Sequence, residues 1–208
     1  MGTVAEGLAW QIGVWDQMAP VYIREIDKRF VPVVEHLIGR AELKPGQHVL
    51  DLGTGTGSVA LRVAPAITPD GHVTAVDISP EMLELARQRT ARAARTDISF
   101  EEGRAEMLPV QAESIDVVLA CLSLIYVIDR AAAAREIARV LRPGAQLAAA
   151  VWAGPQTRGH RAAAADGRQL RAGAACARCR PGRARRPCAP PGPAVGGGGG
   201  GARRDRDH

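Results

Sequence analysis

Apolar and polar positions follow two different rhythms along this chain. Between residues 8 and 44 the spacing is helical: Val33, Val34, Leu37 and Ile38 fall on one stripe, with polar positions on the other side. Proline fits the first turn of a helix, so Pro20 is expected to open one helix here and Pro32 another. Pro45-Gly46 reads as the turn that ends this segment. From His48 the rhythm changes to short apolar runs separated by helical stretches. Strands are expected at His48–Asp51, His72–Asp77, Asp97–Glu101, Ile115–Ala120 and Ala145–Trp152. Helices are expected at Ser58–Ala64, ended or bent by Pro65, from Ser79-Pro80 onward, and at Asp129–Leu141. Ser79 would cap its helix with the hydroxyl while Pro80 takes the first helical position. Met82, Leu83 and Ala86 would face inward there, leaving Glu81, Glu84, Arg87 and Arg89 in water.

Strand and helix alternate from about residue 48 to 152. Right-handed crossovers then give a parallel sheet with helices on both faces, an α/β, doubly wound fold. Its ligand belongs beyond the carboxyl ends of the strands.

Composition divides the chain in two. The net charge of +5 is an average over an acidic body and a basic tail. Residues 1–152 carry a balance of −4 and all seven aromatic residues, whereas residues 153–208 carry +9. Ala, Gly, Pro and Arg dominate the tail, whose only large aliphatic residues are Leu170 and Val195. Such a segment cannot assemble an apolar core and is expected to be disordered. Those four residue types share GC-rich codons, as a gene read out of frame from about Gly154 would give. The longest apolar run, Val117–Ile128, is too short to span a membrane. No cationic stretch precedes an apolar run near the N-terminus, and Cys121 is alone in the body, so a cytoplasmic setting is expected.

The chemistry concentrates after the first strand. Asp51-Leu-Gly53-Thr-Gly55-Thr-Gly57 would connect that strand to a helix, with glycines giving a tight turn and bare backbone for a ligand. The pattern is GxGxG. A dinucleotide fingerprint needs GxGxxG, and Ser58 occupies its third glycine position; no lysine follows, so a Walker loop is excluded as well. Asp77 closes the second strand, where a carboxylate can accept from the two hydroxyls of a ribose.

Five ordered blocks then resemble the S-adenosylmethionine-dependent methyltransferases of the Rossmann-like class, most of all the ubiquinone/menaquinone-biosynthesis type. They are Val49–Gly57, Val76–Leu83, Gly103–Pro109, Ile115–Val118 and Glu136–Gly144, and Trp15–Tyr22 resembles the N-terminal helical segment of that type. The resemblance implies S-adenosyl-L-methionine as cofactor and methyl transfer to a small-molecule acceptor. It implies that Asp51 organises the loop and helps hold the methionine ammonium. Gly53, Gly55 and Gly57 would give backbone access, Asp77 would take the ribose hydroxyls, and Ile78 and Met82 would flank the adenine. The Ala105 N–H would meet an adenine ring nitrogen. One departure stands out: Arg104 occupies a position where the family often has an acid that accepts from the adenine amino group, and arginine has donors only. Glu106 is the neighbouring acid. The family would also follow the fifth strand with a helix and a final strand pair, but the apolar periodicity stops near Trp152, which is expected to leave the fifth strand as a bare edge.

Asp16, Tyr22 and Tyr126 are the polar candidates for the acceptor space, under a lid contributed by residues 10–40. His36 and His48 read as structural or exposed, and no acid–base pair stands out, so the catalytic groups stay unassigned. Cys176-x-x-Cys179 with Cys188 and His160 has the spacing of zinc ligands but no core to position them, and no metal site is assigned. The arginine runs lack interleaved aromatics, so no specific nucleic-acid partner is expected. The organisation expected is a helical lid segment at 1–45, a cofactor-binding core at 46–152 and a low-complexity tail at 153–208. The rival function is a truncated or frameshifted chain that binds cofactor without catalysis.

Overall fold

The structure, a computed structural model, describes residues 4–152 and 162–166. It begins with a helical run, α1 (Val4–Val21), a π-helical turn (Tyr22–Ile26) and α2 (Asp27–Arg40). The two prolines do not open helices. Pro20 sits inside α1 and Pro32 inside α2. The missing amide of a proline leaves one carbonyl of the preceding turn without its donor, a local loss that packing of the apolar stripe offsets. Just after Pro20 the ladder widens, and the Asp27 N–H donates to the Tyr22 carbonyl, five residues back.

The body alternates as expected: β1 (His48–Leu52), α3 (Ala60–Ile67), β2 (His72–Asp77), α4 (Pro80–Arg92), β3 (Ile98–Glu102), β4 (Ile115–Cys121), α5 (Arg130–Val140) and β5 (Leu141–Ala150). A short 3₁₀ turn, Leu124–Tyr126, follows β4. Helix α3 runs through Pro65 to Ile67, because Ala60, Val63, Ala64 and Ile67 are all buried on one face. Strand β5 begins before Pro143-Gly144 rather than after it. Ile115 pairs with Leu141 but Val117 with Gln146, so the proline and glycine form an irregularity inside the strand.

The strand order is β3-β2-β1-β4-β5-β6, with β1 to β5 parallel. The last strand, β6 (Ala162–Asp166), runs antiparallel beside β5. It covers the edge that the sequence led us to expect bare. The rest of the tail, with its expected disorder and its cysteines, lies outside the described residues.

Both faces of the sheet are buried. Val49, Val73, Val117 and Leu119 point to the face covered by α2 and α3, where they meet Val34, Leu37, Val63 and Ile67. Leu50, Leu52, Val76, Val118 and Ala120 point to the other face and meet Ala133, Ile137 and Val140 of α5. This two-sided burial is why the strands read as nearly continuous apolar runs. The order in which strands are added reverses between β1 and β4, and the crevice at their carboxyl ends is where such a sheet receives a ligand.

Candidate functional site

A large opening of about 1130 Å³, open solvent at its mouth included, occupies that crevice. Its floor is built from the carboxyl ends of β1, β2, β3 and β4, through Gly53–Thr56, Asp77-Ile78, Gly103–Glu106 and Cys121–Leu124. The roof comes from the N-terminal helices, through Gln11, Trp15, Tyr22, Asp27 and Phe30.

The glycine loop is shaped by sterics as well as by hydrogen bonds. Gly53 (φ +74°) has its N–H on the Val76 carbonyl at 2.8 Å, and a Cβ there would lie 2.3 Å from the Ser123 Cβ. Gly55 (φ +54°) faces open space. Gly57 does not line the opening; its missing side chain lets Ala86 of α4 approach, with a Cβ placed there only 3.1 Å from the Ala86 Cβ. Backbone access to the opening thus comes from Gly53 and Gly55.

Asp51 lies beneath this loop, is 1% exposed and does not itself line the opening. Its Oδ2 accepts from the Thr54 hydroxyl at 2.7 Å and the Ala60 N–H at 3.0 Å, whereas Oδ1 is buried without a partner. Burial pushes this carboxyl up to about 7, against the lowering effect of the two hydrogen bonds. Asp77, at the end of β2, accepts from the Gly55 N–H at 2.7 Å and from the Ser79 N–H at 3.0 Å. Desolvation raises its pKa as well. The Ile78 N–H also bears on this carboxylate, which keeps acceptor capacity for a further donor. Ser79 caps α4 as expected, its hydroxyl accepting from the Met82 N–H at 3.1 Å. Ile78, Met82 and Ala105 all line the opening.

Arg104 and Glu106 line it too. The Arg104 Nε lies 3.6 Å from a Glu106 carboxylate oxygen, an ion pair without a hydrogen bond, and that nitrogen is buried and unpartnered. The other Glu106 oxygen accepts from the Asp129 N–H at 3.3 Å.

The roof is aromatic. Trp15 stands edge-on to Tyr126 at 4.9 Å between ring centres and to Tyr22 at 6.2 Å. Burial, then the neighbouring Tyr126, Asp27, Cys121 and Asp77, pushes the Tyr22 hydroxyl up to about 12. Burial, then Asp51, does the same to the Cys121 thiol. Asp16 does not line the opening; its carboxylate accepts from the Ser79 hydroxyl at 2.6 Å. His36 and His48 are exposed and absent from the site.

Several residues here carried no motif in the sequence. Cys121 and Ser123 arrive with the end of β4, and the Ser123 hydroxyl donates to the Leu52 carbonyl at 2.6 Å. Gln11 donates to the Tyr126 carbonyl at 2.9 Å and joins roof to floor. Arg89 is not left in water: it reaches inward to Asp27 and Thr56.

Comparison with known proteins agrees with this geometry. The sequence model of the methyltransferase domain family matches residues 49–144. The chain is 37% identical over 108 residues to the arsenite methyltransferase of Halobacterium salinarum, a match covering 52% of this chain and 28% of that protein. It is 37% identical over 115 residues to an O-methyltransferase of Pyrenophora dematioidea, covering 55% and 42% respectively. The chain thus spans less than half the length of either curated relative. Among solved structures, an S-adenosylmethionine-dependent methyltransferase of Aquifex aeolicus superimposes with a TM-score of 0.56 over 61% of this chain and 68% of that one, at 23% identity, a likeness of fold. The chain therefore shares the Rossmann-like fold of that S-adenosylmethionine-dependent methyltransferase structure, and its residues 49–144 are similar to the methyltransferase domain family.

Proposed function

We propose that this chain transfers a methyl group from S-adenosylmethionine to a small-molecule acceptor. The observation that carries the proposal is the pair of carboxylates at the ends of β1 and β2, with the Gly53–Gly55 backbone between them. Asp77 offers its remaining acceptor capacity to the ribose hydroxyls. The buried, unpartnered Asp51 Oδ1 suits an ammonium, met directly or through a water. Ile78 and Met82 offer apolar contact to an adenine, and Ala105 an N–H for a ring nitrogen. Gly57 supports the loop by admitting α4 rather than by touching ligand.

Bound there, the cofactor would supply a methyl group on a sulfonium sulfur, open to in-line displacement. The chain's own contribution is alignment and exclusion of water under the aromatic roof. Tyr22, with its hydroxyl pushed up to about 12, keeps its proton at neutral pH. It is suited to orient an acceptor by donating a hydrogen bond rather than to remove a proton. Trp15, Tyr22, Phe30 and Tyr126 favour a flat, apolar acceptor, and the resemblance to the ubiquinone/menaquinone-biosynthesis type supports the same class. The names of the two relatives point to arsenic in one case and oxygen in the other.

Titration calorimetry with S-adenosylhomocysteine and NAD tests the cofactor, and binding of the first alone is expected. Methylation is then read by mass spectrometry over a panel of phenols, quinols, thiols and arsenite. Binding without turnover of any acceptor would favour the non-catalytic alternative; tight binding of NAD alone would remove the assignment. None of the helices among the described residues is long and apolar enough to cross a membrane.

A further inference from the structure

Two acids of the N-terminal helices are directed at the loops below them and away from solvent. Asp27, the first residue of α2, is 9% exposed. Its Oδ2 accepts from the Thr56 hydroxyl at 2.7 Å and from Arg89 Nη1 at 2.6 Å. The same nitrogen of Arg89 approaches the Thr56 carbonyl at 2.7 Å and the Thr56 hydroxyl at 2.9 Å. One knot therefore joins α2, α4 and the glycine loop. On α1, Asp16 holds the Ser79 hydroxyl, two residues beyond Asp77. The π turn of residues 22–26 lies between these two tethers, and the helical run on either side of it brings Trp15 and Tyr22 to the opening.

We infer that Asp27, Thr56 and Arg89 act as a positioning latch, through which the cofactor-bound glycine loop fixes the helical segment that carries Trp15 and Tyr22. The latch rests on the cofactor reading above and adds a coupling that the reading does not require. Thr56 lies between Gly55 and Gly57, both at positive φ, so neither chain neighbour has a side chain that fixes the Thr56 peptide. Bonds from outside must do so, and Arg89 supplies one to the Thr56 carbonyl while the hydroxyl supplies one to Asp27. Any rotation of that peptide breaks contacts on the α2 side of the knot. By linkage, whatever orders the loop orders the roof, and loosening the roof weakens what the loop holds.

The test uses the full chain and S-adenosylhomocysteine, without an acceptor. Amide hydrogen exchange is followed by mass spectrometry, with affinity measured by calorimetry. In the wild-type chain the ligand is expected to slow exchange at residues 53–60 and also at 10–30, by about fivefold or more at the latter, the lower end of typical coupling. Thr56→Val removes the bridging hydroxyl and keeps both charges. It should still bind, about tenfold more weakly, and keep the slowing at 53–60 while losing it at 10–30. Arg89→Gln should do the same, and Thr56→Ser, which restores the hydroxyl, should behave as wild type. If either of the first two fails to fold, Asp27→Asn supplies the same readout. Ligand binding without slowing at 10–30 in the wild type, or slowing there that survives Thr56→Val, would overturn the latch and leave the cofactor assignment standing. Failure of the wild-type chain to bind the ligand overturns both.

Discussion

Asp51 makes the most exposed claim about this site, because its burial has a consequence without any ligand. The carboxyl is pushed from an ordinary 3.8 up to about 7, chiefly by desolvation. At about 1.36 kcal/mol per tenfold change, that difference is worth on the order of 4 kcal/mol between the protonated and ionised forms. Between these two values the folded chain holds a proton that the unfolded chain has released. Stability from this group is therefore complete below pH 4 and is lost as pH rises through 7. Asp51→Asn has no proton to lose. Its amide oxygen can accept from Thr54 and Ala60, and its NH₂ would take the place of the unpartnered Oδ1, leaving a buried donor that costs about 1–3 kcal/mol.

The variant should thus equal or trail the wild type at pH 4.5 and overtake it by pH 8. Urea unfolding at a series of pH values measures this crossing, and comparing the two chains cancels the contributions of Asp97, Asp116 and Glu136. Arg95 holds Asp97 low, Arg139 and then the Leu108 N–H hold Glu136 low, and the His48 N–H and then Arg142 hold Asp116 low against its burial; all three act in the opposite sense, losing stability in acid. A difference between the chains that stays flat within about 0.5 kcal/mol from pH 4.5 to 8 would show that Asp51 is not a strained acid. A second readout concerns the cofactor. If the free oxygen serves an ammonium, wild-type affinity for S-adenosylhomocysteine rises with pH up to about 7, and Asp51→Asn removes both the affinity and its pH dependence.

Other substitutions probe neighbouring parts of the site. Asp77→Ala unpairs the Gly55 and Ser79 amides and should weaken S-adenosylhomocysteine by about 1–3 kcal/mol in calorimetry; an unchanged dissociation constant would take Asp77 out of the site. Gly53→Ala combines a left-handed backbone with a Cβ pressed onto Ser123, so a loss of about 2–5 kcal/mol in urea unfolding is expected. Gly55→Ala meets open space and should lose only the backbone part, about 1–2 kcal/mol; equal losses would contradict the steric account. Arg104→Asp offers an acceptor at the adenine end and should tighten S-adenosylhomocysteine about tenfold, whereas no change would put Glu106 in that role.

The fold was legible where one local rule met a strong pattern. Strands buried on both faces leave continuous apolar runs, and Ser79-Pro80 states a helix start in two residues. Proline was the weaker guide. Pro20, Pro32 and Pro65 each argue locally for a helix boundary, yet all three lie inside helices, because the apolar stripe extends past them and finds a partner surface. Strand β6 was illegible for the opposite reason. An Ala-Ala-Ala-Ala-Asp run has no alternation to read, and its pairing with β5 is a backbone matter.

At the site, the glycine loop and Asp77 were legible because a turn and a strand end impose residue types at fixed offsets. The knot above them was not, since its contacts join residues 29, 33 and 62 positions apart. A signal was nevertheless present. Asp27 stands three residues before Phe30 and seven before Val34, in phase with the stripe that α2 buries. Arg89 stands three after Ala86 and seven after Met82, in phase with the inner face of α4. Charge alone placed Arg89 in water; phase places it inside. A buried ionised side chain is tolerated only with a partner, so an acid in phase on one helix and a base in phase on another imply each other. That inference needs no motif. It does need the two helices to share a neighbour, which the strand order supplies by setting α2 and α4 on either side of the loop that follows β1.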